Sequence, residues 1–210
     1  MHKTLVLFAA AAMVVSVPSF AQQAPAPPSA QPSANAGPRE GSVNDRRQDQ
    51  QQRIANGVQS GQLTAGETKR LESREANVNR EIRADRTANG GKLTAQEHRQ
   101  INRQQNRMSR AVYNDKHNAA QAHYGNNLVG QRRANQQQRI ASGIRNGSMT
   151  AGEAARSENR QQGINRQISA DRAANGGRLT AQEHRQINRR QNNASRQIYR
   201  QKHNRAVARR

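Results

Sequence analysis

The chain has 210 residues, a net charge of +21, a mean hydropathy of −1.15, no Cys and no Trp. The lack of Cys excludes disulfide-stapled domains, zinc–thiolate sites and cysteine nucleophiles. A hydrophobic content of 32%, with 2% aromatic residues, argues against the thick apolar core of a large enzyme. No apolar run of about 20 residues follows the N-terminal segment, which excludes a polytopic membrane protein.

Residues 1–21 have the pattern of a secretory signal peptide. Lys3 supplies a positive start, an apolar run covers 5–15, and Ser19 and Ala21 place small residues at the −3 and −1 positions of a cleavage site. The apolar run is too short to span a bilayer. We therefore expect an exported protein of a bacterial periplasm, with no transmembrane segment in the mature chain. An uncleaved anchor is the alternative.

The next segment, 22–43, is rich in Pro, Ala, Ser and Gln, and it contains every Pro of the chain except Pro18. Chains of this composition bury too little apolar surface to offset the entropy cost of ordering. We therefore predict a disordered Pro/Ala/Gln-rich tether over 22–43, between the signal peptide and the folded part of the protein.

The rest of the chain is a duplication. Residues 46–118 align with 132–204 at a constant offset of 86 without a gap, and 46 of the 73 positions are identical. Self-similarity of this kind indicates repeated supersecondary units. We therefore divide this part of the chain into helical repeat 1 (44–119), a linker (120–130) and helical repeat 2 with a basic tail (131–210).

Each copy contains two signals for the start of a helix. In each signal Thr precedes Glu by three residues, which is the spacing of a capping box, and Leu or Met lies just before the Thr. A Gly two residues before that Leu or Met is suited to ending the preceding helix. The predicted structural caps are Thr64 with Glu67, Thr94 with Glu97, Thr150 with Glu153, and Thr180 with Glu183.

These signals predict an all-α protein of two tandem three-helix units. Apolar residues recur at spacings of 7 and 4 on consecutive helices, which favours antiparallel, coiled-coil-like hairpins. In such hairpins Ile82 meets Ile101 in the first unit, and Ile168 meets Ile187 in the second. The predicted helices lie near 45–59, 64–88, 94–119, 131–145, 150–174 and 180–207.

No catalytic constellation is present, and we expect neither an enzyme nor a cofactor. The chain has no Walker loop, no G-x-S-x-G turn and no Ser-His-Asp arrangement in a suitable context. His98 and His184 are expected to face solvent on their helices. The segments 85–97 and 171–183 resemble degenerate calcium loops, with Glu at position 13 instead of 12. Weak metal binding there is a minor alternative to a helix end followed by a capping box.

The basic charge is the most informative functional feature of the sequence. Thirty of the 35 basic residues are Arg, whose planar fork suits phosphate, sulfate and carboxylate groups. We expect binding to anionic envelope polymers or lipids, such as lipopolysaccharide and lipid headgroups; a merely solvated charged surface is the alternative. Only three Tyr follow the signal peptide, so no specific nucleic-acid readout is expected. The candidate polyanion-binding residues are Arg185, Arg189, Arg190, Arg196, Arg200, Arg205, Arg209 and Arg210.

The four helix starts also carry a family resemblance. The pairs Leu63-Thr64, Leu93-Thr94, Met149-Thr150 and Leu179-Thr180, each followed by Glu, resemble the L-T-x-x-Q motifs of the Spy/CpxP family of periplasmic chaperones. That resemblance implies a small all-helical protein that dimerises and holds unfolded client proteins without ATP. Here the last motif residue is Glu instead of Gln, and the motif occurs four times instead of twice. The chain as a whole resembles uncharacterised exported Arg/Gln-rich helical repeat proteins of proteobacteria.

Overall fold

The computed structural model describes residues 40–206, with side chains from residue 43 onward. The predicted signal peptide, the tether up to residue 39 and the C-terminal residues 207–210 lie outside the described residues. The described part of the chain forms six α-helices and no strand, so the all-α prediction is confirmed. The helices are α1 (Glu40–Ser60), α2 (Ala65–Ala88), α3 (Ala95–Lys116), α4 (Leu128–Arg145), α5 (Ala151–Ala174) and α6 (Ala181–Lys202).

All four predicted capping boxes form, and they set the first residues of α2, α3, α5 and α6. In each box the Thr side chain accepts a hydrogen bond from the Glu backbone N–H, and the Glu carboxylate accepts one from the Thr backbone N–H. The Thr94 N–H donates to Glu97 over 2.7 Å. Gly61 and Gly91, with φ of 75° and 92°, turn the chain just before the first two boxes.

The N-terminus of α1 differs from the prediction. The helix begins at Glu40, so residues 40–43, which were predicted to belong to the tether, are helical. Val43 is fully buried in a cluster that contains Val78 and Ile82 of α2. This apolar anchor extends the ordered helix into a segment whose composition predicts disorder.

The bounds of three other helices also differ from the prediction. α4 begins at Leu128, near the end of the predicted linker, because Asn127 acts as its N-cap. The Asn127 side chain accepts a hydrogen bond from the Gly130 N–H over 2.9 Å. α3 and α6 end at Lys116 and Lys202, a few residues before their predicted ends, and a histidine follows each as C-cap.

The most extensive helix contacts join the two copies. α2 packs on α5 and α1 packs on α4, whereas the α1–α2 and α4–α5 contacts within a copy are smaller. α3 packs on α1 and α2, α6 packs on α4 and α5, and α3 and α6 do not touch each other. Because each contact has a counterpart at the offset of 86, the six helices have two-fold pseudosymmetry, with α3 and α6 on the flanks.

In the described part of the chain the apolar core has three clusters, and the largest of these contains residues of both copies. It includes Ile54 and Leu71 of the first copy together with Ile140 of the second. The two smaller clusters each lie within one copy, and they contain the predicted pairs Ile82–Ile101 and Ile168–Ile187. The hairpins therefore pack as the spacing predicted, while the main core lies between the copies.

Buried glutamines join the helices where apolar residues are scarce. The Gln50 side chain of α1 donates to the Gln105 carbonyl over 2.7 Å, and Gln105 of α3 donates to the Val43 carbonyl over 2.9 Å. Gln136 and Gln191 make the same bonds between α4 and α6. Each buried amide group thus donates to a backbone carbonyl of the neighbouring helix, which offsets part of the cost of its burial.

Candidate functional site

Four of the predicted polyanion-binding residues share one face of α6. At about 100° per residue they fall within roughly 60° of one another around the helix axis. All four side chains are exposed. They form the α6 arginine face, which consists of Arg185, Arg189, Arg196 and Arg200. The buried residues lie on the opposite side of the helix and are Ile187, Gln191, Ala194 and Ile198.

The other four predicted residues do not extend this face. Arg190 is exposed, but its position on the helix lies well to the side of the four-residue stripe. Arg205 is exposed and follows the end of α6. Arg209 and Arg210 lie outside the described residues. The structure therefore brings together half of the predicted set.

An equivalent face on α3 was missed by the sequence analysis. It consists of four exposed arginines that also fall within one stripe, Arg99, Arg103, Arg107 and Arg110. The alignment of the two copies could have identified this face. At the offset of 86, three of its residues are the counterparts of arginines on the α6 arginine face. We call these four residues the α3 arginine face.

Within the described part of the chain, the arginines of the α6 arginine face have no acidic partner. No carboxylate of the described residues forms an ion pair with them, whereas Arg47 and Glu75 pair elsewhere over 3.4 Å. α6 carries five Arg and one Lys but a single acidic residue, Glu183. A hydrogen bond from the Thr180 N–H lowers the pKa of Glu183, and that carboxylate is held in the cap at the start of the helix.

Each arginine face ends beside an exposed aromatic ring. Tyr199 is 62% exposed and stacks on His203, with the ring centroids 4.1 Å apart. Tyr113 and His117 form the same stack after the α3 arginine face, over 4.2 Å. Each ring therefore adds a flat apolar surface next to a row of guanidinium groups, an arrangement that suits ligands with both anionic and apolar parts.

The two equivalent histidines do not share one environment. His184 is exposed as predicted, but His98 is 5% exposed, so the prediction of a solvent-facing His98 is wrong. The first hairpin is more enclosed at this end, since Leu93 is buried and its counterpart Leu179 is only partly buried. Identical sequence around the two histidines therefore does not give identical burial.

In both calcium-like loops, an asparagine side-chain amide hydrogen-bonds to the glutamate carboxylate. The Asn89 side chain donates to both oxygens of Glu97 over 2.9 and 3.0 Å, and Asn175 does the same to Glu183. The capping Thr N–H also binds each Glu. In the described part of the chain, no group of three or more His, Asp or Glu side chains is placed to hold a metal ion.

A second feature that the sequence analysis missed is a pair of buried carboxyl groups. Glu72 of α2 and Glu158 of α5 are counterparts at the offset of 86, and neither is exposed. Glu72 accepts a hydrogen bond from Gln51 over 3.3 Å, and Glu158 accepts one from Gln137 over 2.9 Å. Burial raises the pKa of both groups, that of Glu158 to about 8.

A third glutamate makes this buried cluster asymmetric. Glu75 is also buried, but Arg47 lies 3.4 Å away and opposes the rise that burial produces in its pKa. The counterpart of Glu75 is Gln161, and the counterpart of Arg47 is Arg133, which lies over the Tyr124 ring. The second copy thus replaces the ion pair with neutral and cation–π contacts.

Comparison with protein-family models, with characterised proteins and with solved structures finds no match to this chain. Among the described helices, none is both long enough and apolar enough to cross a bilayer.

Proposed function

We propose that this chain is an exported, non-enzymatic periplasmic protein that binds anionic envelope components through its two arginine faces. The ligands are lipopolysaccharide, lipid headgroups or other polyanions. The observation that carries the proposal is the α6 arginine face, where four exposed guanidinium groups form one row without an acidic partner in the described structure.

The chemistry of arginine supports this class of ligand. Each guanidinium presents a planar fork that matches phosphate, sulfate and carboxylate groups. A row of such groups at intervals of one or two helical turns follows a linear or planar array of anions. Since α3 and α6 lie on opposite flanks and do not touch, the two arginine faces bind separate segments of a polyanion or surface, which increases the total strength of binding.

Salt-dependent retention on immobilised heparin and lipopolysaccharide tests the proposal. The protein should be retained at low salt and released steeply as salt rises, because each guanidinium contact releases counterions. Replacing Arg185, Arg189, Arg196 and Arg200 with Gln should move release to much lower salt. Absent retention, or retention that does not respond to salt, would contradict the proposal.

A control variant separates the arginine face from net charge. It removes the same charge from four exposed arginines outside both faces, by Gln replacement of Arg74, Arg160, Arg166 and Arg178. This variant should release at a salt concentration closer to that of the unmodified protein. Equal loss in the two variants would show that only overall charge matters.

A Spy/CpxP-like holdase is the second candidate function. It is supported by the four capped helix starts that carry the family resemblance. Large exposed hydrophobic side chains in the described part are few, namely Tyr113, Leu128 and Tyr199. A holdase must suppress the aggregation of an unfolding client protein at equimolar ratio or below. No suppression by the folded protein would rule this function out.

A further inference from the structure

A cleft of about 510 Å³ lies between the middle of α2 and the first turn of α5. Its volume lies in the range of pockets that hold small organic ligands. α2 contributes Ala76, Arg80 and Arg83 to its walls, and α5 contributes Gly152 and Arg156. None of the described residues that line it is acidic. The cleft is separate from both arginine faces, which lie on α3 and α6.

The pseudosymmetric counterpart of this cleft is filled by a side chain. There, Gln162 of α5 reaches across to Gly66 of α2, and a Cβ atom at Gly66 would lie only 2.8 Å from the Gln162 side-chain nitrogen. At Gly152 no α2 atom lies within 4 Å of the equivalent point, and the neighbour within that distance is the Arg156 guanidinium. The cleft is open because position 76 is the small residue Ala, whereas the equivalent position in the second copy is Gln162.

The open cleft is also the more basic of the two. Arg80 and Arg156 have basic counterparts, Arg166 and Arg70, but the counterpart of Arg83 is Ser169. All three cleft arginines are exposed, and no carboxylate of the described residues pairs with them. By contrast, Arg70 lies 3.9 Å from Asp115 in an ion pair.

Glu153, the acidic residue that follows Gly152 in the sequence, already has hydrogen-bond partners. Glu153 accepts hydrogen bonds from the Thr150 N–H over 2.9 Å and from the Asn204 side chain over 2.6 Å, so its carboxylate is already bound. The backbone N–H groups of the first turn, at Ala151 and Gly152, lie at the positive end of a 24-residue helix and add to the field of the arginines.

We infer that this cleft binds the phosphoryl group of a small phosphomonoester, held between Arg80, Arg83 and Arg156. The phosphoryl group is carried either by a free sugar phosphate or by the headgroup of a lipid, since the chemistry recognised is the same. Three guanidinium groups lining one cleft favour a dianion over a singly charged ester. The site goes beyond the proposed function because it is discrete and uses other helices.

Titration calorimetry of the full mature chain with glucose 6-phosphate tests the site. We expect saturable binding at one site, and much weaker binding of the singly charged glucose 6-sulfate. Combined Arg80→Gln and Arg156→Gln replacement should weaken binding at least about tenfold, because charge-assisted hydrogen bonds are lost. The matched control, Arg166→Gln with Arg70→Gln, removes the same charge at the counterpart positions and should leave the affinity unchanged.

A substitution without any change in charge tests the cavity itself. Ala76→Gln introduces the residue that fills the counterpart cleft, and it should abolish binding while the circular dichroism spectrum stays the same. If that variant fails to fold, the paired arginine variants decide. No binding of glucose 6-phosphate, equal weakening by the control pair, or full binding by a folded Ala76→Gln protein would each overturn the inference.

Vesicles identify the source of the phosphoryl group. Part of the binding to phosphatidylcholine vesicles that contain phosphatidic acid comes from the arginine faces and persists in Ala76→Gln. A further part that glucose 6-phosphate displaces and that Ala76→Gln removes supports a lipid headgroup in the cleft. Binding of the free ester alone supports a soluble ligand. The variant lacking the α6 arginine face should bind glucose 6-phosphate normally, so failure of the cleft site and failure of the arginine-face proposal are distinguishable.

Discussion

The buried carboxyl groups make the stability of this protein depend on pH. Burial raises the pKa of Glu158 to about 8 and raises that of Glu72 well above its usual value, and nearby Glu75 and Glu158 add to the rise at Glu72. In the unfolded chain both groups ionise near pH 4.3. Between these limits the folded protein holds protons that the unfolded chain releases, so raising the pH favours unfolding.

We therefore predict that the free energy of unfolding falls as the pH rises from about 4.5 to about 8. The loss attributable to Glu158 is on the order of 1 kcal/mol per pH unit within this window. Glu158→Gln should flatten the slope and stabilise the protein at pH 8, because a neutral amide can still accept from Gln137. Urea unfolding at pH 5, 6.5 and 8 measures the effect.

Two comparisons test whether Glu158 causes the pH dependence of the unfolding free energy. Asp49→Asn removes one exposed carboxylate of α1 and serves as the matched control for the loss of a carboxylate. Capping hydrogen bonds lower the pKa values of the Glu97 and Glu183 carboxylates. The stability that these two groups give the protein is therefore lost only on acidification below the usual pKa range of Glu. A slope that is identical in the unmodified protein and Glu158→Gln would refute the assignment.

Residue type is a poor guide to burial in this chain. Glu and Gln usually lie on the surface, so a sequence reading places them there. Here Glu72, Gln50 and Gln105 are almost fully buried, because hydrogen bonds with neighbouring helices satisfy part of their polar groups. Amino-acid composition therefore did not predict the buried polar cluster. The sequence did show that both copies have Glu at this position, residues 72 and 158.

At the scale of the helix, capping chemistry was the most predictive signal. The Thr-x-x-Glu spacing located the starts of four helices, because the box satisfies two backbone N–H groups by local contacts alone. The starts of α1 and α4 lack this box and were misplaced. α1 depends on the burial of Val43 against other helices, which is a tertiary effect that local sequence does not contain.

The capping boxes differ in how they join neighbouring helices, and this difference predicts unequal stability effects. Glu67 is 4% exposed, and the Asn118 side chain donates to it over 2.7 Å, which connects the end of α3 to the start of α2. Glu97 is only half-buried at the surface and binds Asn89 of its own hairpin loop. Glu67→Ala should therefore destabilise the protein about 1–2 kcal/mol more than Glu97→Ala.

Urea unfolding of both variants at pH 7 provides the measurement. Asn118→Ala serves as the matched control, since it removes the connection between helices and leaves the capping box intact. It should account for most of the difference between the two glutamate variants. Equal destabilisation by Glu67→Ala and Glu97→Ala would show that the contact between α2 and α3 contributes nothing.

At the scale of the whole molecule, duplication was visible in the sequence but the pairing of the copies was not. The hydrophobic spacing identified contacts within each hairpin, such as Ile82 with Ile101. The α5 surface that is buried includes the small residues Ala154 and Ser157, which carry no strong apolar pattern. Contacts between copies also depend on Gln162 over Gly66, a fit of shapes that residue spacing does not encode.

Because the largest cluster combines both copies, we predict that neither copy folds alone as a monomer. Separation exposes Ile54 and Leu71 in the first copy and Ile140 and Ile144 in the second, all of which are at most 3% exposed in the whole protein. A unit of this size has little other apolar surface to bury. The burial that remains therefore does not offset the entropy cost of ordering its helices.

Peptides covering 40–122 and 123–206 measure this dependence. Each alone should lose most of its helical circular dichroism at low micromolar concentration, and an equimolar mixture should regain it as a heterodimer in sedimentation equilibrium. The pseudosymmetry also allows each copy to dimerise with itself at higher concentration, but Glu75 and Arg47 have no matching pair in the second copy, which favours different partners. A folded, monomeric single copy would mean that the cluster between the copies is dispensable.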